Sequence, residues 1–382
     1  MTEARKRTQL VLIFIAMGAS ASLLPAAIPS FSATMQVAPS ALISAVPAMF
    51  GGLLFSVAVT PLAMSRLSEG LLMRVALGLI SLGLVVSGFA QEPDVFILGA
   101  VLVGLGFGVA EVIGTSSAKK LASDTSSKLT QLNAAFALAA LATPLSFVVL
   151  GAVLGPRPAF LIPAILAFLF AVLYLGDTRI QQPKRTKISF DFGLLLFALA
   201  ALCYVGAETL IAGWSSLLVN QIGGLQAEFA GIGGSAFWAL FAFGRVLSAF
   251  LTPKRLPVRI ALVLWPTISS VSLFSAALGW QADSSLLLLS AFAIATVAAG
   301  PCYALIIGVA LDIHRTGNAT ALTSVLILSG SAGGFLFPLF AQAIGGYQIV
   351  AVLSGSGFFA VLVLVVFGSF VSRNNRVTTE AS

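Results

Sequence analysis

The sequence predicts an all-α membrane protein: twelve transmembrane helices in two six-helix bundles related by pseudo-twofold symmetry. Three observations carry this. Charged residues make up 9% of the 382 residues and apolar residues 59%, against roughly 25% and 45–50% in soluble domains. A hydrocarbon core of about 30 Å takes about 20 apolar residues per helical crossing, and the chain divides into twelve such runs. They are too long for barrel strands and lack an alternation of period two. Finally, short patterns recur at the same rank in both halves.

The first span, residues 8–32, follows Arg5, Lys6 and Arg7. Its apolar run exceeds the core of a signal peptide and no small-residue cleavage site follows, so it is read as retained. The second span covers 39–63. The third and fourth, 71–91 and 94–118, are separated only by Gln91-Glu92-Pro93-Asp94, which suits an antiparallel pair. Gly104, Gly106 and Gly108 give the fourth span a close-packing face. They are not a dinucleotide fingerprint, since no strand precedes them. The fifth and sixth spans cover 128–154 and 157–175. A polar segment with Pro183, Arg179, Lys184, Arg185 and Lys187 then divides the chain into a first bundle, 1–176, a linker, 177–191, and a second bundle, 192–382. The remaining spans are 192–219, 227–252, 257–280, 284–310, 317–343 and 347–371, the last two joined through Gly345-Gly346.

Two patterns relate the halves. Gly52 precedes Thr60-Pro61 in the second span as Gly244 precedes Thr252-Pro253 in the eighth, and Pro144 precedes Gly151 in the fifth as Pro338 precedes Gly345 in the eleventh. Such a parallel 6+6 repeat places a binding site near the membrane midplane between the halves.

The formal net charge of +7 does not point to nucleic acid, because the basic residues sort by topology. With the N-terminus inside, all 20 Lys and Arg fall on the cytoplasmic side except Arg157, outside, and Arg245, within a span. The positive-inside rule then sets both termini in the cytoplasm, and the cytoplasmic membrane is the expected location. Cys203 and Cys302 lie within spans of different halves, so no disulfide framework or zinc pattern is expected.

Three charges interrupt the spans: Glu111, Glu208 and Arg245. A charge at the bilayer centre costs at least about 2.5–3.5 kcal/mol on insertion scales, so it persists where a pathway, relay or partner needs it.

Around these charges the sequence resembles the fucose permease branch of the major facilitator superfamily. Gly106-Phe107-Gly108-Val109-Ala110-Glu111 is similar to the segment that carries the branch's membrane glutamate. Cys203-Tyr204-Val205-Gly206-Ala207-Glu208-Thr209 with Trp214 and Ser215 resembles its seventh helix, and Phe243-Gly244-Arg245 its eighth. Leu132-Asn133 and Gly333-Gly334 with Pro338 extend the match. The resemblance implies the major facilitator fold and solute:proton symport, as in sugar transport. Three departures bear on the substrate: no acid lies between Gly18 and Phe31, Phe136 and Ala139 replace polar side chains after Leu132-Asn133, and Thr115 stands where asparagine is expected. A polyol pocket needs these partners, because unpaired buried polar groups cost about 1–3 kcal/mol each.

The expected function is secondary active transport of a small organic solute by alternating access, driven by the proton gradient without a cofactor. Glu111 and Glu208 are the proton-coupling candidates, and Glu111 has the competing reading of a glutamate held neutral for helix packing. Substrate-contact candidates are Tyr204, Glu208, Trp214, Thr115, Phe136 and Tyr303, with Trp214 equally placed to anchor the helix at the lipid interface. Gating or structural candidates are Arg245, Asn133, Arg66, Arg74 and Pro338. Arg66, Glu69 and Arg74 occupy the region of the superfamily's cytoplasmic signature. His314, beside Asp312 and Arg315, reads as a helix-end residue. Export of an amphipathic compound by antiport is the alternative, and a non-transporting sensor a second. No nucleophile with its base, metal cluster or phosphate loop suggests an enzyme. The expected partners are the lipid bilayer and the solute, with a monomeric chain.

Overall fold

The computed structural model describes residues 3–121, 125–176, 192–251, 256–281, 284–313 and 319–380. The linker at 177–191, Thr252-Pro253 and His314 with Arg315 lie outside the described residues, as do the side chains of Lys119, Lys120, Lys128, Arg373 and Arg376. No strand occurs among the described residues. The helices are α1 (Glu3–Met35), α2 (Pro39–Leu42), α3 (Ala45–Ala63), α4 (Glu69–Gly88), α5 (Pro93–Leu121), α6 (Thr125–Leu154), α7 (Pro156–Ala159), α8 (Leu161–Leu173), α9 (Phe192–Gln221), α10 (Ile232–Leu251), α11 (Val258–Gln281), α12 (Ser285–Ala299), α13 (Cys302–Ile313), α14 (Ala319–Ile344) and α15 (Tyr347–Glu380).

Among the described residues, twelve stretches are long and apolar enough to cross a membrane. The second, sixth and tenth each consist of two helices, and proline accounts for the interruptions. Pro47, Pro163 and Pro301 have no N–H to continue the ladder, and each stands at or just after a break. The eighth span begins at Ile232, later than the expected 227, because 226–231 close as successive turns, with Phe229 N–H donating to Gln226 and Ile232 N–H to Phe229. The expected hairpin at Gly345-Gly346 is present. Both residues have positive φ, 78° and 83°, a conformation that side chains disfavour.

The chain forms two compact units, one of Met1–Lys184 with Gly213–Trp238, the other of Arg185–Ala212 with Ala239–Ser382. In the first, α5 packs against α3 and α4 through its glycines. A Cβ on Gly104 would collide with the Met49 carbonyl of α3, and one on Gly106 with the Ala76 carbonyl of α4. Lipid tails are as apolar as side chains, so close contact of this kind, rather than hydrophobic burial, holds the helices together. In the second unit Gly244 meets the Val297 carbonyl as Gly52 meets that of Val101 in the first. The paired glycines of the repeat therefore hold equivalent positions, each at a close approach of its span to the span two further on.

Gly104→Ala is expected to destabilise the protein by about 1–3 kcal/mol, the usual range for overpacking. Gly78→Ala, in α4 with no atom within 4 Å of its added Cβ, serves as the control, with an expected gain of about 0.5–1 kcal/mol from helix propensity. Thermal unfolding of the purified variants tests the opposite signs.

Candidate transport site

Glu111 lies about 18 residues into α5, roughly 27 Å along its axis at 1.5 Å per residue. Helical periodicity sets it on the flank between two packed faces. Gly104 and Gly108 face α3, while Gly114 meets the Phe14 ring of α1. The glutamate is half-buried. Among the described residues it has no hydrogen-bonding or charged partner. One turn before it, Phe107 meets Phe136 of α6 edge-on, with centroids 6.1 Å apart, and Phe136 meets Trp238 at 5.6 Å. Thr115 lies one turn beyond, half-buried.

The hydroxyls of this unit are largely self-satisfied. Ser20 donates to Met17, Ser56 to Leu53, Thr60 to Ser56 and Thr143 to Ala139, each within its own helix. A cavity of about 460 Å³ opens among Ser30, Thr34, Phe147 and Glu228. It includes none of Glu111, Phe107 and Phe136, so the open cavity and the unpartnered carboxyl are separate features.

In the second unit the chemistry gathers at the step between α12 and α13. The helical ladder stops where Gly300 N–H donates to Thr296 and resumes where Leu305 N–H donates to Pro301. Three successive carbonyls at the step take side-chain donors: Ala298 from Cys302 Sγ at 3.3 Å, Ala299 from Tyr204 Oη at 3.1 Å and Gly300 from Arg245 Nε at 3.1 Å. This answers the demand that backbone polar groups in a membrane be satisfied inside the protein. Tyr204 is wholly buried, stacked on Tyr303 at 5.5 Å and edge-on to Phe358. Arg245 sits 4.4 Å above the Phe241 ring. Glu208, one turn beyond Tyr204, hydrogen-bonds with its hydroxyl and lies in the field of Arg245.

A third cluster lies at the end of the sixth span. Arg74 Nε donates to the Tyr174 carbonyl at 3.2 Å, and Gln9 Nε2 to that of Leu173 at 3.1 Å. Glu69 is buried in the first turn of α4, behind the Ser68 cap. Burial, reinforced by the Glu69 carboxylate and opposed by Arg74, pushes the Tyr174 phenol up to about 12. Unfolding frees it to ionise near 10, so its contribution is complete below pH about 10 and is lost as pH rises to about 12. Tyr174→Phe should flatten the fall in stability across that window, as read from thermal midpoints at alkaline pH.

The remaining candidates are scattered. Trp214 is buried by protein rather than set at the lipid interface. An interfacial aromatic pair occurs instead at Trp280 and Tyr347, stacked at 6.0 Å where α11 ends and α15 begins. Asn133 and Arg66 are exposed, and Pro338 is buried within α14. Phe107, Trp238 and the capping role of Cys302 escaped the sequence reading. Phe107 stood inside a quoted motif, but in a chain with 29 Phe only the ring contacts distinguish it. Among the described residues no group of His, Cys, Asp or Glu could hold a metal.

Comparison with known proteins agrees with this architecture. No curated protein matches the sequence closely enough to count as a relative. Among solved structures, a D-xylose-proton symporter superposes with a TM-score of 0.72 at 14% identity, covering 97% of each chain. A bacterial homolog of the human lysosomal transporter Spinster, inward-facing and occupied, superposes at 0.71 with 15% identity and 97% of each chain. A variant of the E. coli fucose:proton symporter gives 0.63 at 18% identity over 96% of this chain and 99% of its own. At these identities the likeness concerns the fold. The sequence model of the Major Facilitator Superfamily matches residues 10–338, and with twelve spans in the matching fold, the protein belongs to the major facilitator superfamily of transporters.

Proposed function

We propose that the protein is a proton-coupled secondary transporter that moves a small organic solute across the cytoplasmic membrane by alternating access, with Glu111 as proton carrier. The observation that carries this reading is the Glu111 carboxyl, set within a span without a counter-charge or hydrogen-bond donor among the described residues. A carboxylate so placed is stable only when something neutralises it, and a proton does so reversibly. Glu208 is the second proton-coupling candidate, held in readiness by Tyr204 and Arg245.

Resemblance to the fucose permease branch favours symport. Antiport of an amphipathic compound is the second reading, favoured by the rings of Phe107, Phe136 and Trp238 and by hydroxyls already bonded within their own helices. Proteoliposomes loaded with a pH dye separate the two. Solute and proton moving together support symport, opposed fluxes support antiport, and solute flux with no proton movement defeats the proposal.

A further inference from the structure

We propose that Tyr204 is a positioning residue that carries the protonation state of Glu208 to the step in the tenth span: its hydroxyl proton caps the Ala299 carbonyl while Glu208 is protonated and turns to Glu208 when that carboxyl ionises. The inference deepens the proposed function, because it rests on Glu208 binding a proton. It does not depend on Glu111.

Donor numbers differ between the two side chains that reach the step from neighbouring spans. Arg245 donates to the Gly300 carbonyl at 3.1 Å and lies in the field of Glu208, while Tyr204 donates to the Ala299 carbonyl at 3.1 Å and hydrogen-bonds with Glu208. A guanidinium has several N–H donors and serves both of its acceptors together, whereas a phenol has a single proton. Tyr204 fully satisfies only one of its two.

The charge on Glu208 decides which. A hydrogen bond to an ionised carboxylate is about twice as strong as one to a neutral acceptor, so a Glu208 carboxylate draws the phenol proton away from Ala299. A protonated Glu208 has an O–H of its own to give to the phenol oxygen, which leaves the Tyr204 proton on Ala299. Beyond the proton that Glu208 gains or loses, no covalent bond changes. The hydroxyl turns about its C–O bond.

The surroundings keep the ring still while the hydroxyl turns. Tyr204 is wholly buried, stacked on Tyr303 and edge-on to Phe358, and Glu208 follows it by one helical turn on α9. The titratable groups about Glu208 are Tyr204 on its own helix, Arg245 from α10 and Cys302 from α13. From α14, Phe337 meets α9 at Gly206. Arg245 supplies positive charge for the ionised state. Ala299 ends α12, where side chains supply donors to successive carbonyls, and a membrane interior offers no water in their place. Loss of the phenol proton therefore weakens the step.

The test is amide hydrogen exchange of the full-length protein in detergent, read by mass spectrometry on peptides spanning Ala299 to Leu305 from acid to alkaline pH and corrected for intrinsic rates. In the wild type, protection across the step is expected to fall about fivefold as Glu208 ionises, the equivalent of one neutral hydrogen bond. Glu208→Gln cannot ionise, so its step should stay protected at every pH. Tyr204→Phe should show low protection throughout and lose the pH dependence while Glu208 still titrates, as followed by the infrared band of its protonated carboxyl, identified by its loss in Glu208→Gln. A Tyr204 that only fills space would lower protection in Tyr204→Phe and leave the pH dependence in place, which overturns the proposal. A wild-type step insensitive to pH, or a Glu208→Gln step still sensitive to it, overturns it equally, whether or not Tyr204→Phe folds. A pH-switched step in a protein that moves no protons in proteoliposomes would sink the proposed function and keep the switch. Proton-coupled flux with an insensitive step would do the reverse.

Discussion

Glu111→Gln is expected to abolish proton-driven accumulation while sparing exchange of solute already bound on the two sides of the membrane. The substitution keeps the size and hydrogen-bonding shape of the protonated glutamate, so α5 should pack as before against α1 and α3. What it removes is the ability to take up and release a proton, and with it the thermodynamic link to the gradient. One pH unit is worth about 1.4 kcal/mol, or tenfold accumulation per coupled proton. In vesicles with a one-unit gradient the variant should therefore lose about a tenfold accumulation ratio and settle at equal concentrations inside and out. Solute counterflow, which needs the site only to reorient while loaded, should persist. Undiminished accumulation driven by pH would rule out the assignment of Glu111 as the carrier.

Arg245→Ala should have the largest effect on stability. Its guanidinium meets three demands together: it donates to the Gly300 carbonyl at 3.1 Å, lies 4.4 Å above the Phe241 ring and supplies positive charge near Glu208. A hydrogen bond from a charged donor contributes about 1.5–3 kcal/mol, and a desolvated cation–π contact adds up to about 2 kcal/mol. Removal of the cation also leaves the Glu208 carboxyl without its compensating field. A loss of roughly 3 kcal/mol is expected, with transport failing in parallel. Arg245→Lys should recover only part of it, because an ammonium restores charge but not the planar fork. The double substitution Arg245→Ala with Glu208→Gln provides the sharper check. If the two groups are coupled, the double variant is more stable than the sum of the single losses implies. Strict additivity of the thermal data would show that Arg245 acts on Gly300 and Phe241 alone.

The spans were legible because membrane insertion is a one-dimensional constraint: length and hydropathy of a contiguous run decide it. The later start of the eighth span arose where residues 226–231 close into turns, a local choice that apolar content does not report. The Gly300-Pro301 pair stands at the interruption of the tenth span. It did not announce that Tyr204 and Arg245, from α9 and α10, would supply donors to the exposed carbonyls, because those contacts join residues 95 and 55 positions apart. Phe136 was visible as a lost polar position but not as a ring in contact with Phe107 and Trp238. The charges stood out in sequence, whereas the polar neighbours that Glu208 has and Glu111 lacks among the described residues needed three dimensions.

The step between α12 and α13 has a mechanical consequence. An unbroken helix resists bending because flexure stretches the amide bonds along one side. At Ala298–Gly300 the carbonyls are tied instead to Cys302, Tyr204 and Arg245, so flexure there loads rotatable side chains rather than the ladder itself. The tenth span is therefore a jointed rod with a compliant point, and the torque needed to turn one segment against the other is set by two side chains, Tyr204 and Arg245, that both adjoin Glu208.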